Sequence, residues 1–145
     1  MITDLMVTPL KRIQNPKGDV FHALKCTEAS FSGFGEAYFS SVISNEIKGW
    51  KKHTKMVLNL IVPSGAVKFV IYDDRENSKS CGQYSAVTLS EDNYNRLTVP
   101  AGVWMAFQGI GENSNLLLNI ASIEHDPLEA KTISLDHFDY DWSEK

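Results

Sequence analysis

The stretch Pro63-Ser64-Gly65-Ala66-Val67-Lys68-Phe69-Val70-Ile71-Tyr72 reads as the end of one strand, a tight turn and a second strand. Alternation along the second strand puts Val67, Phe69 and Ile71 on one face, the expected core face, and leaves Lys68, Val70 and Tyr72 on the other. Further along, Leu97-Thr98-Val99-Pro100-Ala101-Gly102-Val103-Trp104 runs a strand into a Pro-x-Gly turn and out again. Two such corners fit a jelly roll. Working outward, apolar or alternating runs recur at Val20–Cys26, Phe34–Ile43, Met56–Val62, Tyr84–Leu89, Arg96–Val99, Trp104–Gly109 and Asn115–Ala121. Turn-forming residues separate them, and spacings of roughly 8–12 residues favour a sandwich or barrel over strands alternating with helices. Helical turns are expected only at Ser90–Asn95 and Asp126–Ala130. Each opens with a capping residue, and Pro127 suits the first position of the second. The expected fold is all-β, a jelly-roll barrel with one or two short helical turns.

The chain has 145 residues, enough for one domain with a sizeable core, and the expected unit is a single domain over residues 1–145. Hydrophobic residues make up 43% and charged residues 22%, which rules out wholesale disorder. A formal net charge of −4 argues against a nucleic-acid partner held by a broadly basic surface. The longest apolar stretch, Met56–Val62 with Asn59 inside it, falls far short of the ~20 residues that span a bilayer. At the N-terminus, Lys11-Arg12 follows the apolar part rather than preceding it, unlike a signal peptide. Cys26 and Cys81 have no CxxC spacing and are too few for a secreted disulfide scaffold. A cytoplasmic protein with no membrane partner is expected. The segment Asp136–Lys145, rich in Asp and aromatics, is expected to pack as an edge or to cross to a partner.

The order of several further segments is informative. Ile47-Lys48-Gly49-Trp50-Lys51-Lys52-His53, Lys55-Met56-Val57, Gly65 through Asp73-Asp74-Arg75, Leu89-Ser90-Glu91-Asp92-Asn93 and Leu97 through Gly102 follow one another along the chain. This succession resembles the cupin family of dTDP-4-dehydrorhamnose 3,5-epimerases and related sugar-nucleotide enzymes. That family runs Arg-Gly-Leu-His, Lys-Leu-Val, Gly-x-Val-x-Asp-Val-x-Val-Asp-Leu-Arg, Leu-Ser-x-x-Asn and Ile-Pro-x-Gly-Phe-x-His-Gly-Phe. The resemblance covers about Gly18 to Pro127. It implies a jelly-roll barrel, a homodimer, a nucleotide-sugar pocket inside the barrel, and a place in deoxysugar chemistry for O-antigen or other polysaccharide. It implies no cofactor. The family's catalytic His falls on Lys51, its catalytic Tyr near Ile123, and the His of its last motif on Met105. Lys48, Lys55 and Arg75 keep the basic scaffold, and Glu36-x-Tyr38-x-Ser40 stands for the nucleotide-contacting Gln-x-Asn-x-Ser.

Epimerisation beside a ketone needs a base on one face, an acid on the other and a cation or donor for the enolate oxygen. Lys51 and His53, two residues apart on an expected strand, face the same side, and either would handle the proton. Lys48 or Lys55 would hold the enolate or a phosphate. Tyr38, Tyr72 and Glu36 are candidate acids, with Tyr38 preferred because it alternates with Glu36 and Ser40 on one face. Trp50 is a candidate to stack on a base or sugar ring, and Arg75 to bind the anionic substrate. Against these readings stand bland ones: a solvated basic turn, strand-packing aromatics, and an Asp73-Asp74-Arg75 group that ties down a strand end.

A metal cupin needs three or four converging ligands, and the first motif offers only His53. Neither a nucleophile elbow nor a phosphate-binding glycine loop is present. Two functional classes remain. One is a metal-independent epimerase acting at C3, C5 or both of a 4-keto-6-deoxy nucleotide sugar. The other is a non-catalytic cupin that binds a sugar nucleotide after losing the acid–base pair.

Overall fold

The computed structural model describes residues 1–144 of the chain; the last residue of the expected tail and domain, Lys145, lies outside them. Two five-stranded antiparallel sheets face each other as a jelly roll. The first orders strands β1 (Met6–Pro9), β9 (Asn95–Val99), β6 (Leu58–Ser64), β11 (Asn115–Ala121) and β4 (Glu36–Val42). The second orders β12 (Ala130–Thr132), β5 (Ile47–His53), β10 (Trp104–Gly109), β7 (Ala66–Tyr72) and β8 (Tyr84–Ser90). A small ribbon joins β2 (Arg12–Ile13) to β3 (Val20–Phe21).

The two diagnostic corners form as read. Gly65 joins β6 to β7 at φ +79°, and a Cβ there would meet the Asn115 side chain at 2.4 Å, so only glycine fits. Gly102 turns between β9 and β10 at φ +89° and donates its N–H to the His53 carbonyl at 2.7 Å. Val67, Phe69 and Ile71 are fully buried between the sheets with Leu60, Leu89, Leu97 and Val103. Burial of this apolar set is the main term holding the sheets together.

The opposite face of β7 departs from expectation. Lys68 and Val70 are buried because the C-terminal segment folds back over the outside of the second sheet. After a 3-10 turn at Leu135–His137, Phe138, Tyr140 and Trp142 lie against Trp50, Tyr72 and Tyr84, and Phe138 also meets Trp104. Lys68 donates to the Glu144 carbonyl and sits 5.3 Å from the Tyr140 ring centre. A strand whose two faces are both apolar reads as half-exposed until its cover is known.

The expected helical turn at Ser90–Asn95 is a bend between β8 and β9 instead. The Ser90 hydroxyl accepts the Asn93 amide at 2.9 Å, a side-chain cap that serves a turn as well as a helix. Asp126–Ala130 is a capped turn that feeds directly into β12. The expected strand Val20–Cys26 shortens to Val20–Phe21, and the loop beyond it is clamped onto the first sheet by buried Arg96, which reaches the Ala23 carbonyl, Glu28 and Ser30.

Candidate active site

The space between the sheets opens at one end into a cavity of about 230 Å³. Leu58, Leu60, Met105, Phe107 and Leu117 give it apolar walls. Its polar groups come from both sheets. Tyr38, Ser40 and Asn119 enter from β4 and β11, and Lys48, Lys51 and His53 from β5.

Strict alternation along β5 would send Lys48 to the opposite face from Lys51 and His53. A bulge prevents this. Opposite β10, the step from Met105 to Phe107 matches a step from Lys51 to Lys48, so β5 carries one extra residue. Gly49 sits at that irregularity, Trp50 is turned to the outer aromatic layer, and both Lys48 and Lys51 line the cavity. Lys48 Nζ donates to the Ser40 hydroxyl at 3.0 Å across the two sheets. Lys51 makes no side-chain hydrogen bond or ion pair among the described residues, leaving its charge available to a ligand.

His53 is held by a residue that sequence reading missed. Its Nδ1 hydrogen-bonds to Oε1 of Glu129, whose other oxygen accepts the amides of Lys55 (3.0 Å) and Met56 (3.1 Å). Pairing of β12 with β5, Ala130 opposite His53, sets Glu129 in place, and Thr54 secures the Glu129 carbonyl through both its amide and its hydroxyl at 2.8 Å. Burial pushes the Glu129 carboxyl up, but the bonds from His53 and the two amides outweigh it and hold the group below its ordinary value. The carboxylate is therefore an acceptor at neutral pH. Nδ1 must donate to it, and a neutral His53 presents an unprotonated Nε2. The sequence signal for Glu129 was slight: a lone acid between Leu128 and Ala130 at the mouth of an unrecognised strand.

Across the cavity, the Tyr38 hydroxyl accepts a hydrogen bond from the Asn119 amide at 3.0 Å. Of the residues expected to act together, Tyr38, Lys48, Lys51 and His53 converge. The others do not. Glu36 lies on the same face of β4 as Tyr38 but beyond the cavity lining, and Lys55 is exposed outside it. Trp50 is fully buried on the outer face, where its indole N–H donates to the Leu135 carbonyl. Arg75 is committed to Asp73 and the Thr3 carbonyl, a strand-end tie remote from the cavity. Tyr72 belongs to the outer aromatic layer.

Residues 2–145 match the protein family described as dTDP-4-dehydrorhamnose 3,5-epimerase. The chain is a member of that family. A dTDP sugar isomerase from Desulfovibrio desulfuricans, solved by crystallography, is 33% identical and superposes with a TM-score of 0.94 over 99% of this chain and 94% of that one. The spore coat polysaccharide biosynthesis protein SpsL of Bacillus subtilis is 27% identical over 88% of this chain and 84% of its own length. The probable low-salt glycan biosynthesis epimerase Agl13 of Haloferax volcanii is 29% identical over 57% of this chain. The matched stretch spans about half, 54%, of that protein. Within the epimerase family, this chain presents its imidazole at position 53, with Lys51 beside it on the same cavity wall.

Proposed function

We propose that the cavity is the active site of a nucleotide-sugar epimerase acting on a 4-keto-6-deoxy sugar, at C3, C5 or both. The observation that carries this reading is the Glu129-anchored His53 on one wall with Tyr38 on the facing sheet. His53 Nε2 takes the proton from the carbon beside the ketone, and the imidazolium formed is stabilised by Glu129. Lys51, which unlike Lys48 has no side-chain partner in the cavity, stabilises the enolate oxygen. Tyr38 returns a proton to the other face of the carbon, which inverts it. A cavity of about 230 Å³ suits the sugar ring, so the nucleotide extends through the mouth past Lys48.

The same reading makes the enzyme metal-independent, cytoplasmic and homodimeric, and gives it a role in O-antigen or related polysaccharide synthesis. Its relatives' names support the polysaccharide role. The free edge of β4, with Phe34, Phe39 and Ile43 exposed beside it and Leu128 93% exposed, supports a second copy as partner. Sedimentation at micromolar concentration tests the dimer, and turnover unchanged by a chelator tests metal independence.

The second reading, a sugar-nucleotide-binding protein without turnover, draws on Lys51 and the region of Ile123, where the family resemblance would place the catalytic His and Tyr. Proton NMR in D2O separates the two. Loss of the C3 or C5 proton signal of a dTDP-linked 4-keto-6-deoxy sugar, above a protein-free control, is the expected result. Binding without any loss of signal favours the second reading.

A further inference from the structure

Tyr38 and Asn119 are direct cross-strand partners on β4 and β11, with both side chains turned into the cavity. Asn119 is 2% exposed, whereas Tyr38 is 44% exposed. The amide Nδ2 donates to the phenol oxygen at 3.0 Å. The other half of the amide, Oδ1, is buried without a hydrogen-bond partner among the described residues. A buried acceptor left alone is destabilising, so its retention at a cavity wall points to a ligand donor.

We infer that Asn119 is a positioning residue for proton return, building on the epimerase reading above. A phenol has one proton and can also accept. When Asn119 donates to its oxygen, the O–H is released from the wall and points at the substrate. In the reversed amide, Oδ1 would capture that proton and leave Nδ2 buried without an acceptor. A sugar hydroxyl donating to Oδ1 pins the productive orientation. The substrate is thus a keto sugar that carries a hydroxyl on the Asn119 side, and a deoxy analogue at that position binds but turns over slowly.

Proton balance makes this testable. The carbon-bound proton leaves for His53 Nε2, giving an enolate, and the imidazolium then exchanges that proton with D2O. The enolate then takes a deuteron back from His53 on the same face, regenerating labelled substrate, or takes one from Tyr38 on the other face, giving inverted product. In the second case solvent reprotonates the phenolate and takes the proton from the His53 imidazolium, which restores both groups. Asn119→Asp is isosteric but has no N–H, so its carboxylate must accept the phenol proton. In D2O, we expect product formation by Asn119→Asp to fall about 100-fold while deuterium wash-in to recovered substrate stays within about threefold of wild type. Tyr38→Phe is expected to give the same split, and the double variant to be no worse than either single one.

A parallel fall of wash-in and product formation, in variants with unchanged thermal melts, overturns the proposal, because a merely structural role lowers both. So does an unchanged rate in either variant. Absence of wash-in and product with the wild-type protein is a distinct result, which removes the epimerase reading and this proposal together.

Discussion

His53 and Glu129 meet through a hydrogen bond that joins residues 76 positions apart, with side chains 11% and 3% exposed. The contact depends on a three-residue strand, β12, whose pairing with β5 puts Ala130 opposite His53. A carboxylate at this point fixes the tautomer of the imidazole and stabilises its charged form, which are the two things a histidine base needs.

His53→Asn is expected to abolish solvent exchange of the substrate proton, a loss of ~10²–10⁴-fold, with nucleotide-sugar binding retained. Glu129→Gln leaves an amide facing Nδ1, and either tautomer can then form. Exchange should fall by about 10²-fold or more, with a smaller change in KM. Full activity in Glu129→Gln would exclude the pair from catalysis.

Lys48→Met and Lys51→Met probe the two cations of the cavity. Each removes a charged donor, worth about 1.5–3 kcal/mol against an anionic partner, or roughly 10- to 150-fold in Kd. The prediction is asymmetric. Lys48→Met should weaken binding of dTDP itself and reduce its salt dependence, whereas Lys51→Met should leave dTDP affinity nearly unchanged and lower kcat. Titration calorimetry at two ionic strengths, alongside the NMR exchange rate, reads both.

Asp73 governs acid stability. It is fully buried and accepts from Arg75 Nε at 2.9 Å and from the hydroxyls of Ser78 and Ser80, each at 2.6 Å. The Arg75 guanidinium, helped by these hydroxyls against the opposing cost of burial, holds its carboxyl far below the ordinary value of 3.8. With the folded-state value depressed, the stabilisation is complete above the unfolded value and is lost as pH falls below it. The urea midpoint should therefore stay level down to about pH 5 and fall progressively as the pH drops below about 4. Asp73→Asn should flatten that limb and cost about 3 kcal/mol at neutral pH, since it leaves Arg75 without its carboxylate.

The C-terminal aromatic layer should behave as part of the fold. Truncation after Ser134 uncovers Trp50, Val70 and Trp104, which are buried on the outside of the second sheet. Tryptophan emission should shift to the red and the melting temperature should fall. Trp50→Ala in the full chain should cost about 3–5 kcal/mol. An unshifted emission maximum in the truncated protein would show that the layer does not shield these indoles.

The jelly roll was legible in the chain because its evidence is local. Alternation at Val67, Phe69 and Ile71, and glycines at the two corners, follow from the period of a strand and the cost of a positive φ. Placing Lys51 and His53 on one wall needed only that same period. The rest depended on pairings between distant segments. Alternation could not reveal that a bulge in β5 brings Lys48 to the same side as Lys51 and His53, since one extra residue reverses every position beyond it. The burial of Lys68 depended on a distant tail that packs over the outside of its sheet. Arg75 read as a ligand-binding cation until its folded neighbour Asp73 claimed it. Glu129 became a partner of His53, and Asn119 of Tyr38, only when antiparallel pairing brought four strands to one end of the barrel. Sequence alone determined which residue types were available and which faces the strands would bury. Tertiary structure decided which of them meet, because hydrogen-bonded chemistry requires contact within about 3 Å, and separation along the chain carries no information about that distance.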